Sequence, residues 1–316
     1  MTTRAVATAA ATVANFGPGY DVLGACLEGP RDTVEAELTD DGAVVIEAIT
    51  GDGGRLPLGA EANCVGVVAR YVLDRFGEPG AGVRLWLDKG LPLGSGMGSS
   101  AASSVAAAVA VGALVDPELP REALLEACRE GERLAAGSPH PDNVAPSLFG
   151  GIVACLPRGG EAVEVVTLPS PDGLMVVLVK PDFDVRTAEA RAILPAAVPL
   201  GDAVQNVAAM AGLVAALVRG DLGLLGRSLD DRLATPYRKG LIKGYDEVIA
   251  AARGAGAIGG GISGSGPTIF ALSDDRETAR EIAVAMVDAF AAVGALATAV
   301  VSGIDPDGAQ VVLEDR

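Results

Sequence analysis

Pro92-Leu93-Gly94-Ser95-Gly96-Met97-Gly98-Ser99-Ser100-Ala101-Ala102 joins two segments of different periodicity. Ahead of it, Val83, Leu85 and Leu87 alternate with Arg84, Trp86 and Asp88, the period-two pattern of a half-buried strand. Behind it, the run from Ala101 to Val115 is apolar on every side, which marks a buried helix. A strand therefore feeds a glycine-rich loop that opens a helix. Glycines let backbone N–H groups approach a ligand without side-chain obstruction. The first turn of a helix adds free donors and partial positive charge. Together they make an anion site suited to phosphate, and Ser95, Ser99 and Ser100 add hydroxyls. Two other phosphate signatures are excluded. The chain has no Gly-Lys pair for a P-loop, and Ser99 stands where the dinucleotide fingerprint needs its third glycine.

A second glycine-rich run covers Gly259 to Gly266. It formally contains G-x-G-x-x-G, at Gly259, Gly261 and Gly264, but a strand and not a helix is predicted after it. It reads as a loop that brings backbone near a ligand, or as a plain β-turn. On the amphipathic helix predicted from Arg121 to Ala135, Glu132 falls inside the apolar stripe beside Leu125 and Cys128. Glu122, Glu126, Arg129 and Arg133 take the opposite side. A lone carboxylate on a buried face is costly unless it is paired or bound to a metal. A magnesium ligand and a structural salt bridge both answer that requirement. His140 is the sole histidine, which rules out every multi-histidine metal site. Within Ser138-Pro-His140-Pro-Asp142-Asn143 it is as fit to hold a turn as to act in catalysis, and no G-x-S-x-G elbow accompanies it.

A chain of 316 residues suggests two domains. The boundary is expected near residue 165, giving domains 1–165 and 166–316. Strands are expected up to Ala14, from Asp32 to Leu38 and from Ala43 to Ile49. A helix with Val65, Val68, Val72, Leu73 and Phe76 follows and ends at Gly77. The block Gly137–Gly151, with three prolines, reads as an ordered loop and turn. Strands are then expected at Leu174–Val179, Ile269–Leu272 and Ala295–Val301. Helices are expected at Thr187–Leu194, Asp202–Arg219, Asp246–Arg253 and Arg276–Val293. The net charge of −17 argues against a nucleic-acid partner, which needs a basic footprint, and against an anionic membrane surface. It fits a solvated, self-repelling surface or adaptation to high salt, with 4 Lys against 20 Arg. The most apolar run, Val105–Val115, is short of the ~20 residues that span a bilayer. No signal-peptide pattern opens the chain, so a cytoplasmic protein is expected. Cys26, Cys64, Cys128 and Cys155 fit no zinc or redox spacing and are expected to pack as small hydrophobes.

These pieces, in this order, resemble the GHMP kinases. The family's first motif is matched by Ala11-Thr-Val-Ala-Asn15-Phe-Gly-Pro-Gly-Tyr20-Asp21-Val-Leu-Gly24. The second is the loop at Pro92–Ala102, and the third is Ile262-Ser-Gly-Ser-Gly-Pro-Thr268. Within the family, the first motif resembles the homoserine-phosphorylating branch. So do His140-Pro-Asp-Asn-Val-Ala-Pro146, Thr187-Ala-Glu-Ala-Arg191-Ala-Ile-Leu-Pro195 and Pro236-Tyr-Arg238. Tyr20 stands where Phe is usual, Thr235 where Glu often precedes Pro236, and Val13 where a small polar residue is common.

The resemblance implies an α+β fold, with an N-terminal domain of the ribosomal protein S5 domain 2-like type and a C-terminal ferredoxin-like domain. The N-terminal domain would include a left-handed βαβ crossover, an exception to the usual hand. The resemblance also implies ATP and Mg²⁺, with L-homoserine as the substrate. Pro92 to Ser100, with Ser103, would hold the phosphates, and Asn63 would lie near the nucleoside. Ser100 and Glu132 would hold the metal. Asn15 and Asp21 would take the substrate's amino group, and Arg191 and Arg238 its carboxylate. Asn143 would orient the hydroxyl, with Arg238 also in the catalytic set, and His140, Asp142 and Thr187 would line the site. Asp142 is a candidate base, although the loose transition state of phosphoryl transfer lets positioning and electrostatics carry most of the work. Alternatives are a GHMP kinase for a mevalonate-like or sugar alcohol, and a silent nucleotide-binding sensor. The oligomeric state is left open, a homodimer included.

Overall fold

The computed structural model describes residues 3–160 and 162–315. The chain first lays down β1 (Thr3–Ala14), β2 (Leu23–Thr39), β3 (Val44–Thr50), α1 (Cys64–Phe76), β4 (Gly82–Asp88), α2 (Ser99–Val115) and α3 (Arg121–Ala136). Then come α4 (Pro141–Phe149), β5 (Ile152–Pro157) and β6 (Val163–Leu168). The remainder is β7 (Met175–Pro181), α5 (Thr187–Ala192), α6 (Leu200–Arg219), α7 (Leu222–Arg227), α8 (Thr235–Arg238) and α9 (Tyr245–Gly254). It closes with β8 (Gly259–Ile262), β9 (Ile269–Ser273), α10 (Arg276–Ala292), β10 (Ala297–Gly303) and β11 (Gln310–Asp315).

The first sheet runs β11-β1-β2-β4-β3, with β5 and then β6 added along the far end of β2. The long β2 is shared: Leu23–Ala25 pair with β5, and Thr33–Thr39 pair with β4. Only β3 and β4 are parallel, and α1 makes the connection between them. Helix α2 packs on β1 and β2 and against α1 and α3. Its alanines from Ala101 to Ala110 are wholly buried, so helix and sheet approach closely. The second sheet runs β10-β7-β9-β8, all antiparallel. Numbered within that unit the order is 4-1-3-2, with α10 crossing from β9 to β10, which is the ferredoxin-like arrangement. The first sheet takes strands from both sides of residue 165: β6 straddles that position, and β11 returns to pair with β1.

Several elements differ from the expectations. Gly137–Gly151 is not a loop throughout, because Pro141–Phe149 is helical. Pro141 sits at the first helical position, where its missing N–H is no loss, and Pro146 is accommodated inside the helix. Strand β2 starts nine residues before the expected Asp32, through Gly24, Gly29 and Pro30, which read as breakers. The glycines of β8 have no side chains to alternate, so the strand leaves no periodic signal. Arg129 does not share a solvent face with its charged neighbours. It is buried, with Nε donating to the Pro139 carbonyl at 3.0 Å, because the chain before α4 folds over it. All four cysteines are free thiols, and Cys26, Cys128 and Cys155 are buried.

Beneath the loop at 92–100 lies an ion pair removed from water. Lys89, just past β4, pairs with Asp32 of β2, and both side chains are 1% exposed or less. The ammonium also donates to the Ser99 carbonyl and the Ser103 hydroxyl, each at 2.8 Å. Asp32 accepts from Ser103 Oγ at 2.7 Å and from Leu91 N at 3.0 Å. Every charge is met, and the set fixes both ends of the loop. Breaking a buried pair from one side leaves an uncompensated charge and costs about 3–5 kcal/mol. Lys89→Met should lower the urea unfolding free energy by about that amount, and pairing it with Asp32→Leu should recover part of the loss. A loss under ~1 kcal/mol in the single variant would deny the anchoring role.

Candidate active site

A cavity of about 430 Å³ lies between the two sheets. Every site residue expected from the sequence lines it, except Pro92, which is exposed, and Met97, which packs in the core. Gly94, Gly96 and Gly98 all have left-handed backbone, with φ of +62°, +76° and +72°. A Cβ at Gly96 would lie 2.6 Å from the Ser263 carbonyl and 2.7 Å from that of Gly266. A Cβ at Gly98 would lie 2.1 Å from Thr12 Oγ1. These glycines therefore serve contact between the motifs as well as approach by a ligand. The seam is hydrogen-bonded: Thr12 N donates to Met97 O, Gly264 N to Ala14 O, Thr268 N to Ser95 O, and Ser263 Oγ to Gly96 O.

On one side of the cavity, Ser99 and Ser100 open α2 with their backbone N–H groups free of helical partners. Glu132 of α3 faces the same space. Burial pushes its carboxyl up to about 7, opposed by a hydrogen bond from Ser100 and by the charge of Lys89. Its Oε1 is buried without a partner. Among the described residues, no group of three or more His, Cys, Asp or Glu could hold a metal. A single carboxylate with a neighbouring hydroxyl still suits Mg²⁺, which usually takes one or two carboxylates plus substrate phosphates.

On the other side stands a charged cluster. Asp21 receives a two-pronged contact from Arg191, at 3.0 and 3.2 Å, and His140 Nδ1 lies 3.6 Å from it. Burial lowers the His140 pKa, which favours the neutral ring at pH 7. The Tyr20 ring lies against both arginines, whose guanidinium carbons are 5.7 Å (Arg191) and 5.2 Å (Arg238) from its centroid. Arg238 is buried and donates to the Ala190 and Gly264 carbonyls. Asp142, at the head of α4, is pushed up to about 7 by burial and then by the charge of Asp21. Next to it, Asn143 Oδ1 accepts from Thr12 Oγ1 at 2.7 Å, which fixes the amide. Thr187 Oγ1 lies 3.3 Å from Ser265 Oγ.

Two expected ligands also hold structure. Asn15 donates to Gly264 O and accepts from Asp21 N, pinning the first motif to the third. Asn63 caps α1 through Val65 N and donates to Pro57 O. Sequence reasoning missed Thr12, Asp32 and Lys89. One signal was available: Lys89 is one of four lysines and directly precedes the loop. Thr12 and Asp32 carried none, since each is a polar residue inside a strand.

The chain is similar to known proteins along most of its length. The family described as GHMP kinases N terminal domain matches residues 63–151, and GHMP kinases C terminal matches residues 213–292. The chain is 45% identical to a homoserine kinase of Pyrococcus furiosus, covering 90% of this chain and 93% of that one. It is 42% identical to a homoserine kinase of Arabidopsis thaliana, covering 96% and 83%. The crystal structure of homoserine kinase from Cytophaga hutchinsonii superposes with a TM-score of 0.93, at 43% identity over 98% of this chain and 97% of that one. With two glycine-motif halves meeting over one cleft and relatives of this identity along nearly the whole chain, the protein belongs to the GHMP kinase family.

Proposed function

We propose that the chain transfers the γ-phosphoryl group of ATP to the side-chain hydroxyl of L-homoserine, giving ADP and O-phospho-L-homoserine. The observation that carries this reading is the charged cluster of Asp21, Arg191 and Arg238 facing a phosphate-type loop across one cavity. High identity to homoserine kinases over most of the chain supports it.

ATP enters with its triphosphate along Gly94–Ser100, where the N-terminus of α2 favours negative charge, and its nucleoside toward Asn63. Glu132 and Ser100 are the residues that would hold Mg²⁺, which when bound neutralises charge on the phosphates. The hydroxyl oxygen forms a bond to the γ-phosphorus as the bond to the ADP oxygen breaks, and the hydroxyl proton departs. Asn143, braced by Thr12, orients the hydroxyl. Asp142, with its carboxyl pushed up to about 7, is suited to receive that proton near neutrality. His140 and Thr187 line the substrate end.

The ion pair between Asp21 and Arg191 gives a reason for selectivity. Homoserine is zwitterionic, so its ammonium can take Asp21 while its carboxylate takes Arg191 and Arg238. Each charge released by opening the pair then finds a new partner. A carboxylate without an ammonium, as in mevalonate, would draw Arg191 away and leave Asp21 unpaired. A sugar would satisfy neither charge. Sites with buried polar groups reject substrates that leave those groups unmatched.

Assays of ADP release should therefore register strong turnover with L-homoserine and little with mevalonate or galactose. No turnover of homoserine would overturn the assignment. Asp21→Asn should raise the homoserine KM roughly 30-fold or more, the equivalent of ~2 kcal/mol or above, and move the ATP KM far less. Arg238→Leu should act the same way through the carboxylate, and an unchanged homoserine KM in either variant refutes that residue's role.

Glu132→Gln should nearly abolish turnover while stabilising the metal-free protein. The folded carboxyl titrates near 7 and the unfolded one at its ordinary 4.5. Between these values the folded state keeps a proton that the unfolded chain has released. Stability from this group therefore falls as pH rises through that window and stays lower above it. Denaturant melts should give the variant an advantage of up to about 3 kcal/mol at pH 8, closing by pH 4. Equal stability at both pH values, or wild-type turnover at low Mg²⁺, would remove Glu132 from the ligand set.

A further inference from the structure

The loop from Pro92 to Ala102 contains no Lys or Arg. A triphosphate seated there meets backbone N–H groups and hydroxyls, but no cation of the loop's own. Of the basic side chains that line the cavity, Lys89 is spent on Asp32, and Arg191 and Arg238 stand at the substrate end. Phosphoryl transfer relies on positive groups set around the phosphates. A side chain from outside the loop is the remaining source within the chain.

Arg55 occupies that place. It rides on a tight turn after β3. Asp52 closes the turn by accepting from Gly54 N at 3.0 Å and from Leu56 N at 2.8 Å, and Arg55 Nε donates to Asp52 O at 3.2 Å. The base of the turn rests on the residue that leads into the loop. Lys89 N donates to Thr50 O at 2.9 Å, and a Cβ at Gly51 would lie 2.3 Å from Lys89 O. The next residues, Leu56 and Pro57, line the cavity. The turn therefore fixes where the Arg55 side chain starts, while 59% of that side chain is exposed.

A carboxylate faces it. Asp184, in the segment after β7, lies with Oδ2 3.9 Å from an Arg55 terminal nitrogen. Its Oδ1 accepts from Lys180 Nζ at 3.2 Å, and that ammonium is also committed to the Pro181 and Phe183 carbonyls. The atoms nearest a Cβ placed on Gly94 all belong to Asp184, with Cγ at 3.5 Å. A negative charge thus stands at the first glycine of an anion site, where it repels the ligand that the loop is shaped to take. An exposed pair of this length is weak, so Arg55 is easily drawn away from it.

We propose that Arg55 is a further phosphate-binding residue, held beside the start of the loop by Asp184 in the free protein and handed to the triphosphate when the nucleotide enters. This rests on the nucleotide occupying Gly94–Ser100. The guanidinium exchanges one carboxylate for a more highly charged phosphate chain, which it can meet with two N–H groups. Asp184 opposes ATP in two ways of the same sign: it competes for Arg55, and it repels the incoming charge. A role for Asp184 as a metal ligand predicts the opposite sign.

Calorimetry of the full chain with ATP, in the absence of homoserine, reads the affinity directly, once with Mg²⁺ and once with EDTA. Arg55→Gln should weaken ATP roughly 5-fold and Arg55→Lys less, while Asp184→Asn should tighten it roughly 3-fold in both media. Both shifts should shrink in about 1 M KCl, where the Debye length is ~3 Å. The homoserine KM and the melting temperature without nucleotide should stay at wild-type values, because both side chains are exposed. An ATP affinity unchanged in Arg55→Gln, or unchanged in Asp184→Asn, overturns the proposal. So does an Asp184→Asn protein that loses affinity with Mg²⁺ and not in EDTA, which would make the carboxylate a metal ligand. Wild-type chain that binds no ATP would overturn the donor-site reading along with this one, a result distinct from any that the variants give.

Discussion

Three lengths of backbone that are remote in sequence must touch at one point, and the molecule is arranged around that contact. The turn after β1, the loop before α2 and the turn between β8 and β9 meet with little side chain between them. Gly96 and Gly98 lie where a single added carbon would strike backbone or Thr12. The contact joins the first sheet to the second, so the cleft exists only if all three backbones are bare enough to approach. It also places the free N–H groups of α2 opposite residues carried by the second sheet.

The same contact sets the electrostatics. Closing two sheets over a cavity removes carboxyls from water, and each responds according to its partners. Asp32 has a full complement of donors around Lys89. Asp21 meets Arg191 edge to edge. At Glu132 burial outweighs the Ser100 hydrogen bond and the charge of Lys89, and at Asp142 the charge of Asp21 adds to burial, so both carboxyls are pushed up to about 7. Both line the cavity. A charge left uncompensated destabilises the fold, and it gains a partner only when cation or proton arrives.

Much of this was legible in the sequence, and the gaps have physical causes. The loop at 92–102 was readable because glycine and serine at a strand-to-helix junction have a specific use. Glu132 was readable because a carboxylate in an apolar stripe is costly. Helix α4 was misread because prolines count as breakers unless their position in the first turn is known, and β8 because glycines carry no periodicity. The sequence pattern of α6 marks a helix but not its exposure: Leu200, Val204, Val207 and Val218 are exposed, since apolar content alone does not tell which faces are covered. Asn15 and Asn63 were readable as site residues, while their structural duties depend on carbonyls 249 and 6 positions away, which local pattern does not encode.

In the proposed function the two halves of the chemistry draw on different parts of the chain. The phosphate side would rest on β4, the loop and α2, where backbone geometry does the binding. The substrate side draws Thr187, Arg191 and Arg238 from the long segment between β7 and β8, outside both sheets. In the proposed function α5 and α8 would meet the substrate's carboxylate, while Asp21, His140, Asp142 and Asn143 line the same cavity from the first sheet's side. Tyr20 also couples the two sides: it lies on the turn after β1, and its ring lies against both arginines. Any change in the acceptor set must therefore keep that ring or fill its place, and this constrains Tyr20 more tightly than its half-buried position alone suggests.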